Sequence, residues 1–263
     1  MKRVNTSERP RQDAPRVGLF ATCLVDLFRP SVGFASVKLL EDAGCVVEVP
    51  EAQTCCGQPA WNSGDRKTSQ QIARQVIAAF EGYDYVVVPS GSCGATIKKD
   101  YPSMLEGDAE WAPRAQALSE KTFELVSFLT DVLGVASVEA AMKGSVTYHD
   151  SCSGLRSLGV KEQPRTLLAS VDGLTLKEMK DPDVCCGFGG TFCVKFPDVS
   201  NAMVEKKTAN IDASGADLLL AGDLGCLMNM QGKLARQGRH VKARHVAEVL
   251  AGMTDTPPIG DKS

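Results

Sequence analysis

Short runs of β-forming residues alternate along the chain with stretches of helical periodicity. Val17–Phe20, Val46–Val49 and Tyr85–Val88 read as strands in the first half; Val146–Tyr148, Leu174–Leu176 and Leu218–Leu220 read as strands in the second. Between them lie helical stretches. One runs from Ser31 to Asp42 and stops at Gly44; a second has Asp65 placed to cap it, with Ile72, Val76 and Phe80 on one face; a third runs from near Ser200 to about Ala213. The continuous apolar runs Tyr85–Val88 and Leu218–Leu220 suit buried parallel strands. Strand and helix in alternation predict an α/β chain with mostly parallel, Rossmann-like sheets.

The pattern occurs twice. RVGLFATC, TCCGQP and VVVPSGSCG in the first half correspond in order to SVTYHDSC, VCCGFGG and LLLAGDLGC in the second, each matched cysteine displaced by about 130 residues. An internal duplication accounts for this. It divides the chain into a first cysteine-rich repeat over 16–120, a helical connector over 121–143 and a second repeat over 144–252. The tails Met1–Ala14 and Thr254–Ser263 are polar and are expected to be mobile.

Composition then narrows the chemistry. A length of 263 residues allows one large domain or two small ones, and 43% apolar with 23% charged residues is ordinary for a globular chain. Lys and Arg number 29 against 32 Asp and Glu, so no basic field marks a nucleic-acid or anionic-membrane partner. No stretch approaches the ~18 consecutive apolar residues of a membrane span, and Met1–Pro15 has no apolar core of a secretory signal. A cytoplasmic location is therefore expected. There, thiols stay reduced and structural disulfides are rare. Ten cysteines in such a chain point to metal or redox chemistry.

Eight of the ten fall into two sets: Cys23, Cys55, Cys56 and Cys93, and Cys152, Cys185, Cys186 and Cys226. Every member follows a strand, and ligands of parallel sheets gather beyond the carboxyl ends of strands, so distant thiols are expected to meet on one rim of each unit. Four converging thiolates suit an iron–sulfur cluster or structural zinc. Zinc sites usually close a small chelate through C-x2-4-C, whereas adjacent cysteines reach different metal atoms of a larger cluster more comfortably. Gly57 and Gly187, just past each pair, let backbone N–H groups approach the bound group. The remaining residues carry weaker signals. Cys193 either borders the site or is a small buried thiol; Cys45 opens an apolar run and reads as core. His149 is placed either to donate to a cluster sulfide or move a proton, or simply to end a strand.

The paired CCG triplets, with one cysteine ~30 residues upstream and another ~35–40 downstream, resemble the cysteine-rich domains of heterodisulfide reductase and of the glycolate oxidase iron–sulfur subunit. HDSC at His149–Cys152, CCGFGGTF at Cys185–Phe192, GADLLLAGDLGCLMN at Gly215–Asn229 and HVAEVL at His245–Leu250 are more closely similar to the lactate utilization protein A family. The resemblance implies an iron–sulfur subunit that helps oxidise L-lactate to pyruvate beside partner iron–sulfur proteins. In the heterodisulfide reductase relatives the motif ends in C-x-x-C and binds a noncubane cluster through five cysteines. Here Ser90-x-x-Cys93 and Asp223-x-x-Cys226 each lack one thiolate. Four ligands per repeat still suit a [4Fe-4S] cluster, and Ser90 and Asp223 stand either as oxygen donors or as turn residues. A thiol/disulfide redox subunit and a zinc-stabilised scaffold are the competing readings. No G-x-G-x-x-G follows the first strand, so a flavin or nicotinamide would have to come from a partner.

Overall fold

In the computed structural model, which describes residues 14–261, the chain forms two four-stranded, all-parallel sheets with helices packed on them. The first contains β1 (Arg16–Leu19), β2 (Val46–Glu48), β3 (Tyr85–Val88) and β4 (Thr122–Glu124), in spatial order β2-β1-β3-β4. The second contains β5 (Ala141–Tyr148), β6 (Asp172–Leu176), β7 (Leu218–Ala221) and β8 (Lys242–His245), in the matching order β6-β5-β7-β8. Equivalent register holds in both: Val17 pairs with Tyr85 at the centre of the first sheet, and Val146 with Leu218 at the centre of the second.

The central strands carry the core. Val17, Leu19, Val86, Val87 and Val88 are essentially inaccessible, as are Val146, Leu219 and Leu220. Each such side chain contributes roughly 1.5–3 kcal/mol of transfer free energy. The helix Pro30–Asp42 begins with proline, whose missing N–H costs nothing in a first turn, and ends before Gly44 at φ 90°. Asp65 caps the helix Arg66–Phe80 by accepting from Thr68 N at 3.0 Å. That helix buries Val76 and Phe80 as its spacing predicts, with Ala73 and Ile77 beside them, and leaves Ile72 half-buried against the same core.

Two expectations change. The stretch 121–143, read as a helical connector, holds β4, one of the two edge strands of the first sheet, before two short helical turns. Thr-Phe-Glu is too short and too polar to announce a strand, yet Val86, Val87 and Val88 pair with it in register. The C-terminal stretch, expected to be mobile, is anchored as far as it is described. Ile259 N donates to Ala243 O at 2.9 Å, Lys242 pairs with Asp261 at 2.6 Å, and the Arg244 guanidinium donates to the carbonyls of Thr254 and Thr256. The N-terminal tail, save Ala14, lies outside the described residues.

The two repeats share one core. Val25, Val32, Leu39 and Leu40 of the first pack in the same cluster as Leu224, Val246, Val249 and Leu250 of the second. Where the helices Gly91–Ala95 and Cys152–Leu158 meet, a side-chain carbon on Gly91 would stand 2.8 Å from the backbone of Gly154. Only glycine permits that approach. Nearby, the fully buried Glu248 carboxylate takes Arg29 Nε at 2.9 Å and Ser31 Oγ at 2.6 Å, an ion pair that crosses from repeat to repeat.

Candidate metal centres

Each predicted set of thiols comes together. In the first repeat Cys23 opens the short helix after β1, with Thr22 capping it by accepting from Val25 N at 3.3 Å. Cys55 and Cys56 lie in the loop after β2, and Gly57 takes up φ 82° so that the chain can turn immediately behind them. Cys93 sits in the first turn after β3, where Ser90 Oγ accepts its N–H at 3.3 Å. The four thiols line one small cleft and lie close enough to perturb one another's ionisation. Within it the hydrogen bonds of Cys23 and Cys56 hold Cys55 far below the ordinary thiol range, while bonding to Cys55 pushes both of those neighbours far above it. Like charge and burial oppose the ionisation of all these neighbouring thiols together. A multivalent cation removes that opposition.

The second repeat repeats the plan. Cys152 begins the helix after β5, capped by Ser151; Cys185 and Cys186 follow β6; Cys226 lies in the helix Leu224–Arg236 after β7, capped by Asp223 at 3.3 Å. Cys152 and Cys185, Cys185 and Cys186, and Cys186 and Cys226 are close enough that each perturbs its neighbour's ionisation. Cys226 is drawn down most by Cys186, but burial and the neighbouring Asp223, Cys152 and Cys185 charges together outweigh this and leave it raised at about 11. Backbone N–H groups point at sulfur in both repeats: Gly57 N to Cys55 Sγ and Gly187 N to Cys185 Sγ, each at 3.4 Å. Gly187 is confined to glycine twice over, by φ 80° and because an added carbon would meet Ser200 O at 2.7 Å.

Ser90 and Asp223 are both engaged elsewhere. Each caps the helix carrying the last cysteine of its repeat, and Ser90 Oγ donates to Asp223 Oδ2 across the repeats at 2.9 Å, joined by Ser92 N at 3.0 Å. They act as cap and inter-repeat tie. Cys45 packs into the shared core, where burial pushes its pKa up to about 11. Cys193 bonds only locally, through Sγ to Gly190 O at 3.6 Å. Phe188 covers Gly225 and lines a cleft of about 130 Å³ that opens on the first cysteine set. Phe192 instead packs against Phe196, and Met228 lines a separate groove beside Phe28.

Two buried residues lie near the second set, Lys207, which the sequence did not mark, and His149, which it did. Lys207, in the helix Pro197–Ala213, is fully buried and donates to Asp181 O and Pro182 O at 3.1 and 2.7 Å. Burial lowers its pKa to about 8. His149 is buried at the end of β5; burial first, then the Lys207 charge, lowers its pKa to about 3. One ring nitrogen of His149 and the sulfurs of Cys186 and Cys226 all lie within 4.8 Å of one another.

Comparison with known proteins agrees with this duplication. The CCG cysteine-rich domain family matches residues 17–98 and again 146–231, so each match encloses one complete set of four thiols. Lactate utilization protein A of Geobacillus sp. (strain WCH70) is 52% identical over 235 residues, covering 89% of this chain and 98% of that protein. The chain belongs to the lactate utilization protein A family. Its counterpart in Bacillus cytotoxicus is 49% identical over the same shares of both chains. Among solved structures, a hypothetical protein from Helicobacter pylori superposes with a TM-score of 0.64 at 11% identity. That match covers 92% of this family member and 50% of the other chain, and it speaks to the fold alone. No helix among the described residues is long and apolar enough to cross a membrane.

Proposed function

We propose that the chain is an iron–sulfur electron-transfer subunit of an assembly that oxidises L-lactate to pyruvate. The observation that carries this reading is the convergence, in each repeat, of four thiols from three loops at the carboxyl ends of parallel strands. The donor set fits iron–sulfur chemistry. All four ligands are sulfur, the adjacent pair can reach different metal atoms, and backbone N–H groups are aimed at sulfur in both repeats. The relatives' name supports lactate as the substrate of the whole system.

When bound, a cluster supplies single-electron transfer. The chain's own residues do the rest. Cys23, Cys55, Cys56 and Cys93 hold one group and Cys152, Cys185, Cys186 and Cys226 the other. Tyr101 Oη donates to Cys56 O at 2.9 Å and Asn229 Nδ2 to Cys186 O at 2.8 Å, so each CC pair is fixed in place by a side chain of its own repeat. Phe188, Leu224 and Pro59 line the cleft at the first set and limit water there. Conversion of a 2-hydroxy acid into a 2-keto acid removes two electrons together, and the sequence offers no G-x-G-x-x-G after β1 for a flavin or nicotinamide. Partner subunits, themselves iron–sulfur proteins, would supply the two-electron step.

The test is lactate-dependent dye reduction under anaerobic conditions, first by this chain alone and then with its partner subunits added. Turnover is expected only with the partners. Robust turnover by the single chain would contradict the subunit reading, and a colourless, zinc-containing protein would support the scaffold instead.

A further inference from the structure

The two repeats differ at the residue three positions before their first cysteine. In the first repeat it is Phe20, fully buried and packed against the ring of Phe80 at 5.5 Å. In the second it is His149, equally buried at the end of the equivalent strand. An imidazole in a phenylalanine's place has two nitrogens to satisfy. His149 Nδ1 lies 3.2 Å from Pro182 O, and a carbonyl can only accept, so Nδ1 carries the proton. Lys207 Nζ and Asp150 N donate to the same carbonyl and hold it in place. Nε2 is left with a bare lone pair, and it has no hydrogen-bond partner among the described residues. A buried acceptor without a partner is uncommon and calls for an explanation. The surroundings supply one, because Cys186 Sγ and Cys226 Sγ stand within 4.8 Å of the ring.

We infer that His149 is a fifth protein donor of the second site, its Nε2 bonding an iron of the group held by Cys152, Cys185, Cys186 and Cys226. The inference rests on the iron–sulfur reading above. It follows the arrangement of metal-bound histidines generally, in which the nitrogen away from the metal donates to a carbonyl that fixes the tautomer and the ring plane. Hydrogen bonding to a sulfide would need a proton on Nε2, and the Pro182 carbonyl keeps that proton on Nδ1. Four thiols already match the four irons of a cubane, so one iron near Cys186 and Cys226 carries two protein donors. The first site, with Phe20 in this position, has thiolates alone. The two sites are therefore chemically different.

The experiment uses the anaerobically purified, iron-loaded full chain grown with 15N-histidine. Pulsed electron paramagnetic resonance is recorded in whichever oxidation state is paramagnetic, with 57Fe Mössbauer spectra alongside. A strongly coupled histidine nitrogen is expected in the wild type and is lost in His149→Phe, which installs the first repeat's own residue. In His149→Cys, an added thiolate is expected to lower the midpoint potential of one cluster and leave the other unchanged. Only weak nitrogen coupling in the iron-loaded wild type, or strong coupling that survives His149→Phe, would overturn the assignment. The wild-type spectrum decides the matter even if a variant folds poorly. A wild type without iron and acid-labile sulfide would instead overturn the cluster reading on which this rests.

Discussion

The first and second cysteine sites share a scaffold and differ in what surrounds the sulfurs. Sheet order, register, the glycine after each CC pair and the hydroxyl or carboxylate cap before each last cysteine recur in both. The supporting side chains do not recur. Tyr101 holds the Cys56 carbonyl where Asn229 holds that of Cys186, Phe20 stands where His149 stands, and Ser90 donates where Asp223 accepts. A duplicated scaffold thus fixes where thiols meet, while the side chains around each set differ. The Ser90–Asp223 bond shows the divergence at work. Two identical carboxylates would repel across the repeats and two hydroxyls would bind less strongly, whereas the unlike pair forms a charge-assisted bond.

The largest expected effect tests whether the sites are independent. Cys55→Ser should remove about half of the bound iron and Cys185→Ser the other half, while Cys45→Ser, a change in the core, should remove none; iron per chain is the readout. Next comes the contact between repeats. Gly91→Val would drive side-chain atoms into the Gly154 backbone and should cost on the order of 2–3 kcal/mol in denaturant unfolding. Gly82→Ala, with open space around it, should stay within about 0.5 kcal/mol.

The unlike pair predicts unequal losses. Asp223→Ala removes a cap and two inter-repeat acceptor contacts and should cost about 2 kcal/mol, whereas Ser90→Ala should cost about 1 kcal/mol. Smallest is a pH effect at the end of β4. Burial raises the Glu124 carboxyl from 4.5 to about 7, although Val126 N and Ser127 N donate to it. A carboxyl whose folded pKa is raised favours the folded state while protonated, and that advantage drains away as pH climbs from about 4.5 towards 7. Glu124→Gln removes the dependence, so its unfolding free energy relative to wild type should rise with pH, by about 1 kcal/mol between pH 6 and 7 in denaturant unfolding.

Much of this was legible in the sequence, for identifiable reasons. The apolar runs of β3 and β7 and the cap at Asp65 are local signals, and the doubled cysteine order gave the duplication and both thiol sets. The last strand of each sheet was not legible. β4 reads Thr-Phe-Glu and β8 reads Lys-Ala-Arg-His, and they become strands because a central apolar strand pairs with them and the rest of the fold covers them. Lys207 and the tautomer of His149 lay hidden for a related reason. Their partners are backbone carbonyls of Asp181 and Pro182, atoms that every residue possesses and no motif marks.

The central claim is that this family member holds two iron–sulfur groups, one per repeat. Iron and acid-labile sulfide per chain after strictly anaerobic purification test it most directly. Two [4Fe-4S] groups predict about eight of each, with absorbance near ~400 nm and a fall to about four in Cys55→Ser. Zinc in place of iron, or iron without acid-labile sulfide, would contradict it.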